Sequence, residues 1–203
     1  MVINDKIGEN AKSLVVGVLL GDAGKSRKTF YFGHSIKQLE FALHKKNLLD
    51  KCLNINCSVK LKTNVQYPSV RVYVPVNKTA TEMVLLLYGD ILTNKGGKII
   101  SKEILSYLDA QSIAIWYMDD GSMSYKRKNG KIHGFDLTLN TYISQCENQI
   151  IIDYFKEKWG INWQLSKGKG KFRLRMGKRE GLKFFEIIKP YINDSMKYKI
   201  GEL

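Results

Sequence analysis

Twice in this chain, about a hundred residues apart, a stretch too apolar for a surface helix runs directly into carboxylate. Ala11 to Leu20 (AKSLVVGVLL) ends in Gly21-Asp22, and Ile113 to Met118 (IAIWYM) ends in Asp119-Asp120-Gly121. Apolar density of that kind predicts two buried helices, with Gly21 and Gly121 as their stop signals. A buried helix needs neighbours on all sides. Two copies at matching places therefore point to two similar halves packed helix to helix.

The segments after the two helices repeat as well. After Asp22 come a strand-like stretch, Lys25 to Gly33, and an amphipathic helix over about Ile36 to Leu49. A hairpin from Ser58 to Val76 and a helix from about Thr81 to Tyr88 complete the half. After Asp120 come a hairpin turning at Asn129-Gly130, a strong two-residue turn signal, and a helix over about Cys146 to Trp159. A hairpin turning at Gly168-Lys169-Gly170 comes next, then a helix over about Arg179 to Ile188, closed by Pro190. Each half reads helix, hairpin, helix, hairpin, helix. The best linker lies at Asn94 to Lys98, which divides the chain into residues 1–97 and 98–203.

Alternate residues of a strand face opposite sides of its sheet. Lys171, Arg173 and Arg175 oppose Phe172, Leu174 and Met176; Arg71 and Tyr73 oppose Val70, Val72 and Val74; Lys60 and Lys62 oppose Val59 and Leu61. Arg27 opposes Phe30 and Phe32 less cleanly, and Asp136, Thr138 and Asn140 oppose Phe135, Leu137 and Leu139. An antiparallel sheet often leaves one face in water, and a single basic strand there needs no other reason. Here the cations recur on several strands, and the chain carries 33 Lys and Arg against 19 Asp and Glu, a net charge of +14. Cut at Leu105, the excess is +8 before and +6 after. Charge spread in this way suits a polyanion contacted along the whole molecule. Lys25, Lys126 and Lys128 extend the basic set. A β-ribbon fits the major groove of B-DNA, which favours duplex DNA over A-form RNA.

Asp22 and Asp120 sit at the C-terminal ends of their helices, where the dipole is already negative. Singly, each reads as an ordinary turn residue. Paired by helix packing, they would repel each other unless a divalent cation lay between them, and hard oxygen ligands suit Mg2+. Carboxylates within a basic surface meet the needs of metal-assisted phosphodiester hydrolysis. Asp119 reads as the weaker member of its pair.

At these residues the chain resembles the LAGLIDADG homing endonucleases of the single-chain type, in particular the subgroup of the omega-intron endonuclease. The two copies of the family's nonapeptide are Val15 to Ala23 (VVGVLLGDA) and Ile113 to Gly121 (IAIWYMDDG), and the C-terminal IIKPYI and MKYKI also look like that subgroup. The resemblance runs from about Leu14 to Ile200. It implies an α+β fold of two pseudo-symmetric αββαββα halves forming a saddle on DNA, in a monomer. Asp22 and Asp120 match the catalytic, metal-binding aspartates, with the backbone carbonyls of Gly21 and Asp119 helping to hold the ions. Lys98, with a one-residue shift, and Lys199 match basic residues near each scissile phosphate. The implied product is a double-strand cut across the minor groove with 3′ overhangs. Mg2+ is the implied cofactor, Mn2+ its substitute, and Ca2+ an ion that binds without turnover. Two departures stand out. Ala23 replaces the usual Gly, and the polar residue the family places after the strand following each motif matches His34 and Tyr142, neither of them Gln. His34 could orient water or cap the next helix.

Several classes fall away. No apolar run approaches the roughly 20 residues that span a bilayer, and Met1 to Asn10 carries Asp5 and Glu9 in place of a signal core. Cys52, Cys57 and Cys146 are odd in number and lack CxxC spacing, against a disulfide framework or zinc knuckle. The expectation is an intracellular protein with access to DNA, in an organelle, a bacterium or a phage-infected cell. The runner-up is an RNA maturase, with intron RNA as its partner, or a DNA-binding regulator that does not cut. A basic structural protein would leave the doubled acidic motif unexplained.

Overall fold

The computed structural model describes residues 2–89, 97–168 and 170–201, with the side chains of residues 2–7 excepted. The first half runs α1 (Val2–Leu20), β1 (Ala23–Ser26), β2 (Thr29–Ser35), α2 (Leu39–Leu53), β3 (Ser58–Lys62), β4 (Ser69–Tyr73) and α3 (Lys78–Tyr88). A short helix, α4 (Lys102–Ser106), precedes the second half: α5 (Ala110–Asp120), β5 (Gly121–Lys128), β6 (Lys131–Leu139), α6 (Gln145–Trp159), β7 (Gln164–Gly168), β8 (Lys171–Gly177) and α7 (Lys178–Ile188). Both sheets are antiparallel, ordered β1-β2-β4-β3 and β5-β6-β8-β7. The αββαββα repeat therefore holds at the level of strand order. Of the predicted linker, residues 94–96 lie outside the described residues, as does Lys169 of the second hairpin turn.

One expectation is corrected and two elements are added. Residues 25–33 do not form one strand: Ser26 pairs with Thr29, and Arg27 turns the chain at φ 51°. The helices α4 and the 3-10 segment Asp194–Lys199 were not expected from the sequence. The first helix begins at Val2, nine residues before the apolar stretch that predicted it; the other predicted helices and hairpins differ from the observed ones by a few residues at their ends, where helices fray and caps decide. Ser144 and Glu147 form a capping box that starts α6 one residue before the predicted Cys146.

From Ala11 on, α1 is buried nearly all round, as is α5, as their composition requires, with Val15, Val16, Val18 and Leu19 meeting Ile113 to Met118 in one core. Small residues let the two backbones approach. Ser13 Oγ donates to Ser112 Oγ at 3.0 Å, and a methyl group on Gly17 would stand 2.6 Å from Ser112 O and 2.8 Å from its Cα. Backbone cannot swing aside as a side chain can. Gly17→Ala is therefore expected to destabilise by about 1–3 kcal/mol through overpacking, against a gain of about 1 kcal/mol in helix propensity. Urea unfolding checks it, and a variant as stable as the parent would contradict so close a crossing.

Each sheet lays its apolar face on this core and leaves the other face open. On the first, Phe30, Phe32, Val70, Val72 and Val74 are buried; on the second, Phe135, Leu137, Leu139, Leu174 and Met176 are. Leu61 departs from the predicted pattern: it lies on the edge strand β3 and is 53% exposed.

Candidate active site and basic sheet faces

Because α1 and α5 cross closely, their carboxylate ends converge. The Asp22 backbone N–H donates to Asp119 Oδ2 at 3.1 Å. Gly21 has no side chain to obstruct this, and a Cβ there would collide with the Asp119 carboxylate. Gly21 and Asp119 are equivalent under the repeat, so one of the two had to be small. Asp119, expected to be the minor member of its pair, is the more deeply built in. Its side chain is fully buried and both oxygens accept from Lys45 Nζ of α2, at 2.7 and 2.9 Å.

The aspartates differ in setting. Asp22 is 45% exposed at its side chain, and its pKa is raised by burial in the cleft and then by the Asp119 charge. Asp120 accepts from Trp116 Nε1 at 3.1 Å, and its backbone O accepts from Asn140 N and Nδ2 at 3.0 and 2.9 Å. Burial, with Asp22 and Asp119 adding repulsion against the pull of Lys98, pushes the Asp120 carboxyl up to about 7.

Two lysines take corresponding places. Lys98 Nζ donates to Gly21 O at 2.5 Å and Leu20 O at 2.8 Å, and Lys199 Nζ donates to Asp119 O at 2.8 Å. These are the free carbonyls of helix C-termini, which attract cations. Burial lowers both lysine pKa values, opposed by the three aspartates. The carbonyls of Gly21 and Asp119, assigned to metal by resemblance, thus already accept ammonium hydrogen bonds.

His34 lies in β2, buried, with Nδ1 3.6 Å from Asp22 Oδ2 and Nε2 3.6 Å from Asp119 Oδ1. Burial, then the Lys45 charge, pushes its pKa down to about 4, so it is neutral at pH 7. It does not cap the next helical turn; Ser35 does. Strand register gives its counterpart: Phe32 and Leu139 lie opposite Ala23 and Gly121, which makes Thr141, and not Tyr142, the equivalent of His34. Tyr142 is exposed, at φ 52°.

The donors fit a hard divalent cation. Asp22, His34 and Asp119 each bring one ligand atom within 4.8 Å of the others, a group that does not include Asp120, the expected partner of Asp22. His34 Nε2 is buried without a hydrogen-bond partner among the described residues, and the carboxyls of Asp22 and Asp120 are raised by burial and then by repulsion from neighbouring carboxylates, both of which a bound cation would offset.

The basic faces are formed, with changes of membership. Lys60, Lys62, Arg71 and Tyr73 share the open face of the first sheet with Tyr31. There Arg71 stacks over the Tyr31 ring at 4.9 Å and Lys60 over Tyr73 at 5.2 Å. Lys25 does not belong to it: opposite Phe30, it faces the helices, its Nζ 5.5 Å from the Tyr88 ring centroid. Arg27 stands in the turn, off both faces. On the second sheet Lys126, Lys171, Arg173 and Arg175 line the open face, and Lys128 lies at the exposed hairpin tip, past a register shift after Lys126.

Sequence reasoning missed Lys45, Trp116 and Asn140. For Lys45 a signal existed: Phe41, Lys45 and Leu49 fall on one helical stripe, all fully buried, so the lysine interrupts an apolar face.

Two helices ending in carboxylate thus meet between two sheets whose open faces are basic. The chain matches the sequence model of the LAGLIDADG DNA endonuclease family over residues 12–184, and belongs to that family. Its structure superposes on the homing endonuclease I-WcaI, determined bound to its DNA recognition sequence, with a TM-score of 0.75 and 22% identity over 95% of this chain and 86% of that one. Among curated relatives, a RecA protein of Mycolicibacterium flavescens is 27% identical over 96% of this chain and 47% of its own length. The cytochrome b mRNA maturase bI2 of Saccharomyces cerevisiae is 27% identical over 98% of this chain and 50% of its own length. The chain thus spans about half the length of these curated relatives. No helix among the described residues is long and apolar enough to cross a membrane.

Proposed function

We propose that this chain is a site-specific double-strand DNA endonuclease, acting as a monomer because both motif helices lie in it, with a divalent metal, Mg2+ in first place. The observation that carries the reading is the pair Asp22 and Asp120, both with raised carboxyl pKa values, at adjoining helix ends between two basic sheet faces. A divalent ion held at these carboxylates would supply charge stabilisation at the scissile phosphate and acidify water. Asp22 and Asp120 would hold it, one carboxylate for each strand cut. Lys98 and Lys199, fixed on the carbonyls of Gly21 and Asp119, place ammonium charge where a phosphate would lie between the sheets. His34, neutral, serves one side only, since Thr141 replaces it on the other and bonds Asn148 at 2.6 Å. A cut across the minor groove with 3′ overhangs belongs to the same reading.

The test is cleavage of a randomised-duplex library with Mg2+ and with EDTA. Mg2+-dependent cuts within one long consensus are expected. Binding without any cut would favour the second reading, an RNA maturase, which the bI2 relative brings forward; intron RNA is then the ligand to test. For the sheets, Arg71→Ala and Arg173→Ala are each expected to weaken duplex binding several-fold to about a hundredfold, base-edge contacts being worth about 1–3 kcal/mol. Gel-shift titration at moderate salt checks it, and unchanged binding in both variants would remove the open faces from the interface.

A further inference from the structure

Among the described residues, the eight strands carry a single acidic residue, Asp136 of β6. It stands on the open face of the second sheet, among the cations just assigned to DNA. A carboxylate there repels a polyanion, so its presence calls for a reason. Its contacts supply one. Lys126 Nζ, from β5, lies 2.7 Å from Oδ1, and Arg175 Nη2, from β8, donates to Oδ2. The residues directly opposite Asp136 are Ser124 and Gly177, both small, so the two cations reach it diagonally with nothing bulky between. The Asp136 side chain is 12% exposed, while those of Lys126 and Arg175 are 47% and 48% exposed. Burial opposes ionisation of Asp136, and the hydrogen bonds from Lys126 and Arg175 outweigh it, holding the carboxyl below its ordinary range.

The first sheet has no such arrangement. By strand register Thr29 takes the place of Asp136, its hydroxyl donating to Val74 O at 2.7 Å, and Tyr73 takes the place of Arg175. A clamp found in one half only is not part of the scaffold's symmetry.

An unrestrained arginine on a strand samples many rotamers and settles on the nearest phosphate, which carries no sequence information. An arginine held along one side of its fork is already ordered before DNA arrives, and its remaining N–H groups can meet the O6 and N7 acceptors of guanine. The neighbouring carboxylate also disfavours the phosphate-directed alternative. Given the duplex-binding role proposed above, we infer that Asp136 is a specificity-positioning residue: it clamps Arg175 to read a guanine edge in the major groove under the second sheet, and restrains Lys126 beside it.

The experiment compares the wild type with Asp136→Ala, Asp136→Asn, Arg175→Lys and the Asp136→Ala/Arg175→Lys double variant. Binding is measured to the selected consensus, to the same duplex substituted one base pair at a time, and to random-sequence duplex at several salt concentrations. The wild type is expected to favour guanine at one position by about 5- to 150-fold. Asp136→Ala should lose most of that preference while binding random duplex as tightly or more tightly. Its salt dependence should steepen by about 1–2 in log–log slope as the two freed cations turn to phosphates. Asp136→Asn keeps the shape and should show the same change in part. Arg175→Lys should lose the preference, and adding Asp136→Ala to it should change base preference no further.

An unaltered base preference in Asp136→Ala and Asp136→Asn, with the wild type selective, overturns the inference alone. So does a loss of all duplex binding together with a lower melting temperature in both, which would make Asp136 a structural brace. A wild type with no sequence preference overturns the DNA-site reading itself.

Discussion

Asp120→Asn is expected to abolish double-strand cleavage, by about 10³-fold or more, while leaving duplex affinity within a few-fold of the parent and raising thermal stability. The first effect comes from charge: an amide is a poor ligand for a hard divalent ion, and metal-borne stabilisation of the transition state is worth several kcal/mol. The second comes from place, since Asp120 belongs to the helix ends while most of the proposed DNA contacts belong to the sheets. The third comes from linkage. The folded-state pKa of Asp120 is raised to about 7, above its ordinary 3.8, mainly by burial and further by Asp22 and Asp119. The folded protein therefore holds that proton more tightly than the unfolded chain does. Stability is lost as pH rises from about 4 toward 7, and at pH 7.5 the ionised carboxylate opposes folding. Asn removes that opposition and keeps an acceptor for Trp116 Nε1. Each kcal/mol regained raises Tm by about 2–4 °C in a chain of this size. Single-turnover cleavage, gel shift and calorimetry at pH 7.5 read the three effects separately. Cleavage at the parental rate would remove Asp120 from the site, and a lower Tm would mean that its carboxylate is neutralised in the fold. Asp22→Asn is expected to abolish double-strand cleavage in the same way.

The parts of this architecture that were legible in the sequence are those where local chemistry and tertiary structure agree. The two buried helices announced themselves by unbroken apolar runs, and Asn129-Gly130 announced its hairpin because both residues readily take the positive φ they show, 50° and 76°. The hairpin at Arg27-Lys28 has no such signature. Arginine is an uncommon residue at φ 51°, so the pairing of β1 with β2 and the packing of Phe30 and Phe32 hold that turn against local preference. Unbroken alternation from Lys25 to Gly33 would put Arg27 in a strand and Lys25 on the open face; the turn at Arg27-Lys28 reverses the alternation and directs Lys25 to the face of Phe30. The site was legible as far as its repeat: Asp22 with Asp120, Lys98 with Lys199. Its asymmetric parts were not. His34, Lys45 and Asp119 meet only because two halves with different sequences share one axis, and no spacing along the chain encodes that meeting.

That asymmetry carries the second large expectation, which concerns Lys45. Its Nζ and the Asp119 carboxylate are both fully buried, the ammonium also lies 4.6 Å from the Phe32 and Phe41 ring centroids, and the carboxylate takes a further hydrogen bond from Asp22 N. The pair ties α2 of the first half to α5 of the second. Counting from the starts of the two 15-residue helices α2 and α6, the equivalent of Lys45 is Ile151, also fully buried, and the equivalent of Asp119 is Gly21. The position on one side of the repeat thus carries a buried charge pair, while the equivalent positions on the other carry a buried apolar side chain and a glycine. Lys45→Ile alone leaves a carboxylate buried beside Asp22 without its counter-charge, and should destabilise by about 3–5 kcal/mol. Asp119→Gly alone strands the ammonium and should cost about as much. The double variant Lys45→Ile/Asp119→Gly reproduces the chemistry of the opposite side, strands no charge, and should lose no more than about 2 kcal/mol, of which about 1 is the helix propensity of glycine. Urea unfolding of the four proteins gives the coupling directly. Single variants that each lose less than about 1 kcal/mol would show that water or neighbouring groups already satisfy these charges. Additive losses in the double variant would show that Lys45 and Asp119 do not act as a pair.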